Sequence, residues 1–360
     1  MVKVRFTSRV GAIVQPLIWR HSMNSFQYFI GIDPAKDTFA AAIFTDLQQP
    51  RQIGEGFSNN PDGFEAFEKW LETQKVQKSS ALMVIEATGV YGEALCHDLT
   101  RRGYWVCLEA PQKVKRAFKL KGHKTDPLDA LQIAEYAFRF QDQLRRWQPP
   151  AEIVEHLNVC LTVREQLVAQ KTATINALKA LQKKVIQTPQ AIELYQHNIQ
   201  LLQEQITTLE GYMTQLLTEN PQLRQTVQLL DSAPAIGQLT AMNLLLVTNA
   251  FTELLDYPKL AAFIGICPYK HDSGSSIHKK ARSSQEGPPR LRKLLHLASR
   301  SLIVHHPSYK RYYQRKIAQG KPPMLVLNNI SNKLLRLCCA IIKTQKPYEP
   351  KYVSINPSFL

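Results

Sequence analysis

Residues 27–45 read QYFIGIDPAKDTFAAAIFT, and the fold turns on them. One short apolar run, 28–32, ends in Asp33, and a second, 38–45, follows the tight connection 34–37. Two apolar runs joined so closely predict a hairpin of two strands. Residues 61–74 carry Phe64, Phe67, Trp70 and Leu71 at helical spacing, with Asp62 placed as N-cap. Residues 81–85 read as a buried strand that delivers Glu86 at its end. A helix over 91–102 closed by Gly103, a strand over 104–108 and a helix over 126–140 complete the series. Such alternation predicts an α/β domain with a mixed sheet over 26–147.

Gln148-Pro149-Pro150 marks a boundary, beyond which glycine nearly disappears. Ile192, Tyr195, Ile199, Leu202, Ile206, Leu209, Met213 and Leu216 alternate spacings of three and four, the seam of a coiled coil. A looser stripe (Leu157, Leu161, Val168, Ile175, Leu178, Val185) precedes it, with Thr188-Pro189 between. An antiparallel helical arm over 151–222 is expected, packing on itself or on another subunit as a homo-oligomer. A basic, mostly helical domain over 228–346 follows. In it, Pro234, Ile236 and Gly237 are placed as in a helix-hairpin-helix element or a plain helical turn. Next come a Gly- and Ser-containing loop over 265–289, two basic helices near 290–305 and 325–344, and a tail over 347–360.

The net charge of +16 is not spread evenly. From Lys259 onward nineteen Lys and Arg face only Asp272, Glu286 and Glu349, so the rest of the chain is neutral. A single-sign field confined to one third of a chain suits a phosphate backbone. The six cysteines (Cys96, Cys107, Cys160, Cys267, Cys338, Cys339) lack CxxC pairing and zinc-spaced histidines, which predicts free thiols in a reducing cytoplasm. No uninterrupted apolar run has the ~18 residues of a membrane span. Lys3, Arg5 and Arg9 ahead of apolar 10–19 loosely imitate a signal peptide, but Gln15 and Pro16 break it. Residues 1–25 read instead as an N-terminal extension, its first 22 residues lying upstream of Met23.

Asp33 and Glu86 stand at strand ends, and Asp126 and Asp129 lie three apart on one face of a helix start. Four convergent carboxylates repel one another without cations. As hard oxygen ligands they suit two Mg²⁺ ions roughly 4 Å apart, clamping the attacking and leaving oxygens of a phosphodiester.

GIDPAKDTF, VIEATGVYGEAL and KTDPLDA, in this order, resemble the N-terminal domain of the DEDD insertion-sequence transposases, the "IS one-ten" family. APAIGQLTAMNLL, KLAAFIGICPYKHDSGSS and PPRLRKLLHLA resemble its second domain, so the likeness spans residues 27–345. It implies a RuvC-like (RNase H-like) fold with Asp33, Glu86, Asp126 and Asp129 as the metal-binding tetrad. It also implies a serine nucleophile, matching Ser273, with Ser275 and Ser276 close enough to leave the choice open. A structured guide RNA that pairs with donor and target DNA comes with the resemblance alone. Lys113, Lys115, Arg116, Lys119, Lys121 and Lys124 offer it surface, and so do Lys279, Lys280, Arg282, Arg290, Arg292 and Lys293, of which Arg282, Arg290 and Arg292 suit developing phosphate charge.

One departure stands out: ARSSQEGPPRLR puts Gln285 and Glu286 where the family commonly has basic residues, as a decayed copy would. A Holliday-junction-resolvase-like nuclease shares the acidic fold and basic charge but has no need of a second domain with a serine loop. An actin-like ATPase wants glycines after its first aspartate, and Pro34-Ala35-Lys36 is the wrong loop. An inactive nucleic-acid-binding copy has no use for all four carboxylates.

Overall fold

The computed structural model describes residues 26–46, 52–54, 56–118, 125–251, 256–273, 277–283 and 287–350, with backbone alone at 52–53, 268–273 and 277–282. The N-terminal extension and the end of the tail lie outside the described residues, as do Lys119, Lys121, Lys124, Ser275, Ser276, Gln285 and Glu286. The chain divides into two compact units, Met1–Pro149 and Pro150–Leu360.

The first unit is built on a sheet of β1 (Tyr28–Pro34), β2 (Thr38–Phe44), β3 (Gln52–Ile53), β4 (Phe57–Ser58), β5 (Ala81–Glu86) and β6 (Trp105–Glu109). Its order is β3-β2-β1-β5-β6, with β4 paired to β2. β1 and β2 form the expected antiparallel hairpin, while β5 and β6 run parallel to β1. With its helices this is the RNase H-like arrangement. Alternate side chains leave on opposite faces. One face sets Ile30, Ile32, Met83 and Ile85 against Phe64, Phe67 and Leu71 of α1 (Pro61–Thr73) and Leu95 and Leu99 of α2 (Glu93–Arg101). The other sets Phe29, Ala42, Leu82, Val84 and Cys107 against Ala130, Ala134 and Ala137 of α4 (Asp126–Arg139). Covered on both sides, the central strands are apolar throughout.

Two expectations for this unit change. Asn60 caps α1, accepting from the Gly63 amide at 2.9 Å, and Asp62 sits inside the first turn. Pro61 explains it, because proline prefers the first helical position and leaves the cap to the residue before. The helix expected from 91 begins at Glu93, after a short 3₁₀ turn over Gly89–Gly92. A further short helix, α3 (Pro111–Ala117), follows β6.

The second unit opens with α5 (Glu152–Leu181) and α6 (Pro189–Glu219). Arg164 pairs with Glu210, and Lys171 donates to Gln203. The α5 partner advances while the α6 partner retreats, so the helices run antiparallel within one chain. Leu202, Ile206 and Met213 of the expected seam are buried, whereas Val185 near the turn is 98% exposed. The arm is rooted in the domain that follows: Leu157, Leu161, Met213 and Leu217 share one core with α7 (Pro221–Asp231), α8 (Gln238–Val247), α9 (Tyr257–Ile264), α10 (Pro289–His305) and α12 (Pro323–Thr344). α7 and α8 flank the 234–237 turn, where Ala235 takes a positive φ of 61°. Among the described residues α12 alone is long and apolar enough to cross a membrane, and Val326, Ile330, Leu334, Leu335 and Cys338 place it at the centre of this core.

Two features were missed. The stretch 265–289 is not all loop: β7 (Pro268–Ser273) and β8 (Ile277–Ser283) form an antiparallel hairpin. Between the two expected basic helices lies a third, α11 (Pro307–Ala318), with no fully buried residue. Cys338 and Cys339 are core residues, as expected, and burial pushes the Cys96 and Cys107 thiols up to about 12.

Candidate active site

Strand alternation places Asp33 on the same face as Phe29, Glu86 with Leu82 and Val84, and Glu109 with Cys107. All three carboxylates therefore end parallel strands on the face that α4 covers. Phe138, late in α4, meets Phe29 at the start of β1, with ring centres 5.2 Å apart. Gly31, further along β1, lies against Ala130 and Ala134. The helix thus runs opposite to β1, and its first turn, bearing Asp126 and Asp129, stands at the rim where β1 ends in Asp33. Register pairs Ile32 with Ile85 and Glu86 with Glu109, so neighbouring strands deliver their carboxylates at one level.

The helix start bears on the role of Asp126. Thr125 occupies the N-cap position, and its carbonyl accepts from the Leu128 and Asp129 amides at 3.0 Å each. Asp126 is the first helical residue and is exposed, so helix capping does not account for it.

The loops behind the carboxylates are stapled together. The Asn59 amide donates to the carbonyls of Ala35 and Tyr91, at 2.8 Å each, joining the turn after Asp33 to the turn after Glu86. Thr88 Oγ1 donates to the Pro34 carbonyl at 3.1 Å, and the Ala87 amide to that of Glu109 at 2.8 Å. Neither Asn59 nor Glu109 was found by sequence reading. Glu109 had a signal, since the expected strand stopped one residue short of it. Asn59→Ala is expected to lower unfolding free energy by about 1–2 kcal/mol, two hydrogen bonds' worth, in a denaturant titration.

α3 brings cations to this rim. Lys113 Nζ lies 2.8 Å from Glu109 Oε1, while Lys115 and Arg116 are exposed. Four hard oxygen donors set on three rigid elements, beside a buried fifth carboxylate already held by Lys113, suit divalent cations.

Ser273 is the last residue of β7 and pairs with Ile277, immediately before the hairpin tip. Lys279, Lys280 and Arg282 lie on β8. Arg292 fastens the base of this hairpin: Nη1 donates to the Ile264 carbonyl at 3.0 Å and the Gly287 carbonyl at 2.9 Å. The two feet approach so closely that a Cβ on Gly287, whose φ is +93°, would fall 1.8 Å from the Phe263 oxygen. Asn328 and Asn332 of α12 donate to the Ile266 carbonyl at 2.9 and 3.2 Å. Arg290 bonds Glu165 of α5 at 2.6 Å, and Lys293 is exposed. Two of the arginines expected to meet phosphate thus also hold their own domain together.

Residues 30–186 match the DEDD Tnp IS110 family, described as a transposase, and residues 227–314 match the transposase IS116/IS110/IS902 family. The chain is 29% identical over 337 residues to a pilin gene-inverting protein of Moraxella lacunata, covering 90% of this chain and 98% of that protein. It is 24% identical over 365 residues to the transposase for insertion sequence element IS1111A of Coxiella burnetii, covering 91% and 93%. An insertion element IS110 protein of Streptomyces coelicolor matches at 26% over 148 residues, 41% of this chain and 35% of that one. Two family matches, over residues 30–186 and 227–314, and relatives aligned over nearly the full length agree: the chain carries an IS110/IS116/IS902-family transposase domain and is a DNA transposase/recombinase enzyme.

Proposed function

We propose that this enzyme cuts and rejoins the strands of an insertion element by transesterification, with Asp33, Glu86, Asp126 and Asp129 holding Mg²⁺ and Ser273 as nucleophile. The observation that carries the reading is the direction of α4, which sets its first-turn aspartates at the rim where β1 ends in Asp33. Mg²⁺ ions bound there, two by the number of carboxylates, would polarise the phosphodiester and offset its charge. Asn59 and Thr88 hold the loops behind the carboxylates, and Lys113 neutralises Glu109 beside them.

In the reaction Ser273 Oγ attacks phosphorus, the bond to a deoxyribose oxygen breaks, and the serine proton ends on that oxygen. The phosphoserine ester keeps the bond energy, so a second DNA hydroxyl can reverse the step and restore the serine without ATP. A serine hydroxyl is a weak nucleophile and needs such an electrostatic setting. Relatives named for inverting a pilin gene support a chemistry in which cut ends are rejoined.

Guidance by a structured RNA from the element's own end belongs to this proposal, with Lys115, Arg116, Lys279, Lys280 and Lys293 among its contacts. So do action in the cytoplasm and assembly as a homo-oligomer. For the latter, Val159 and Leu194, 62% and 71% exposed, offer apolar surface outside the intrachain α5–α6 seam.

The test expresses the protein with its native flanking DNA and looks for protein-linked DNA on a denaturing gel. The wild type is expected to form an adduct that Ser273→Ala loses completely. Cleavage without an adduct that survives Ser273→Ala would reject the serine and favour a resolvase-like nuclease.

A further inference from the structure

Three cations and two tyrosines form a connected track across α11, α12 and α9. The Arg315 guanidinium lies 5.8 Å from the Tyr312 ring centre, and Lys333 Nζ lies 5.0 Å from the same ring. One turn along α12 from Lys333, Arg336 lies 4.7 Å from the ring of Tyr257. The Tyr257 hydroxyl donates to Asn332 Oδ1 at 3.0 Å, and the Asn332 amide donates to the Ile266 carbonyl at the foot of the Ser273 hairpin. The track therefore runs from α11 to the base of the strand that carries the serine.

Its charge has no internal purpose. Arg315, Lys333 and Arg336 are exposed, and none forms an ion pair among the described residues. Residues 287–348 contain no Asp or Glu at all. Like charges on adjoining helices repel, so the chain bears a cost that a polyanion would remove. Tyrosine rings hold the flat guanidinium faces of Arg315 and Arg336 and leave their N–H groups for phosphate oxygens, and the Tyr312 ring draws in the Lys333 ammonium. Lys333 and Arg336, three apart, share one face of α12.

We infer that this track binds the phosphodiester backbone of a nucleic-acid strand and leads it to the base of the Ser273 hairpin. The binding half of this inference rests only on the enzyme's acting on DNA; the destination rests on the serine reading. Duplex DNA and RNA share the recognised chemistry.

The full-length protein is titrated in EDTA against a labelled random-sequence DNA duplex and a labelled RNA hairpin, over a range of salt. Each duplex phosphate contact contributes about 0.9 to the slope of log K against log salt. The triple variant Arg315→Gln, Lys333→Gln, Arg336→Gln is expected to lower that slope by about 2–3 for at least one probe. Loss confined to one probe identifies the occupant as DNA or RNA. Lys179→Gln, Lys183→Gln, Lys184→Gln on the arm removes equal charge and is expected to change the slope by less than about 1. Arg315→Lys, Arg336→Lys is expected to keep the wild-type slope. Unchanged slopes in the first triple variant, or an equal fall in the arm variant, would overturn the inference. Cleavage is silent in EDTA, so failure of the serine chemistry leaves this binding test readable.

Discussion

Asp33→Asn is expected to reduce cleavage of element-end DNA at least about a thousandfold, a loss of about 4 kcal/mol of transition-state stabilisation. The substitution keeps size and shape at the end of β1, so packing against α4 should persist and the melting midpoint should move by only a few degrees. What disappears is one charge from the four carboxylates proposed to hold cations together. Mg²⁺ binding measured by calorimetry should weaken in parallel, because an amide oxygen is a poorer ligand than a carboxylate. Cleavage within tenfold of wild type at saturating Mg²⁺ would remove Asp33 from the metal site and leave it as a turn residue.

Gly31→Ala should be among the most damaging single-methyl changes in the first unit. An added Cβ would stand 2.1 Å from the Ala130 oxygen and 2.2 Å from the Ala134 nitrogen, both backbone atoms of α4. No side chain can rotate away, so the helix must move off the sheet. Overpacking of a tight core costs about 1–3 kcal/mol, and a clash with helix backbone belongs at or above the top of that range. Calorimetric melting reads the stability loss. Activity should fall further than stability alone explains, since the displaced helix carries Asp126 and Asp129. A variant that melts like wild type would mean that α4 does not seat on Gly31.

What could be read from sequence follows from where information is local. The hairpin at 28–44, the strand before Glu86 and the helix from Asp126 are marked by apolar runs with clear ends, and they emerge nearly to the residue. The β7–β8 hairpin did not, because its ladder joins backbone groups while His271, Asp272, Ser273 and Lys280 are poor strand formers. α11 escaped because its tyrosines and cations alternate too closely to leave an apolar stripe. Arg290 and Arg292 were legible as charges only. The acceptors that fix them lie far off in the chain, Glu165 being 125 residues from Arg290. Asn59 illustrates the same limit, since a lone asparagine gives no sign that it joins turns at 35 and 91.

Because α5 and α6 leave one core and return to it side by side, the reach of the arm is adjustable. At 30 residues α5 extends roughly 45 Å. Removing one heptad from each helix, or adding one, keeps Leu157 and Leu217 seated and the facing residues in step, so only the distal turn travels. The arm is in that sense a calliper. Its tip can be set nearer or farther while the machinery at its root stays as it is, and a set of heptad-stepped variants would show what distance the tip must span.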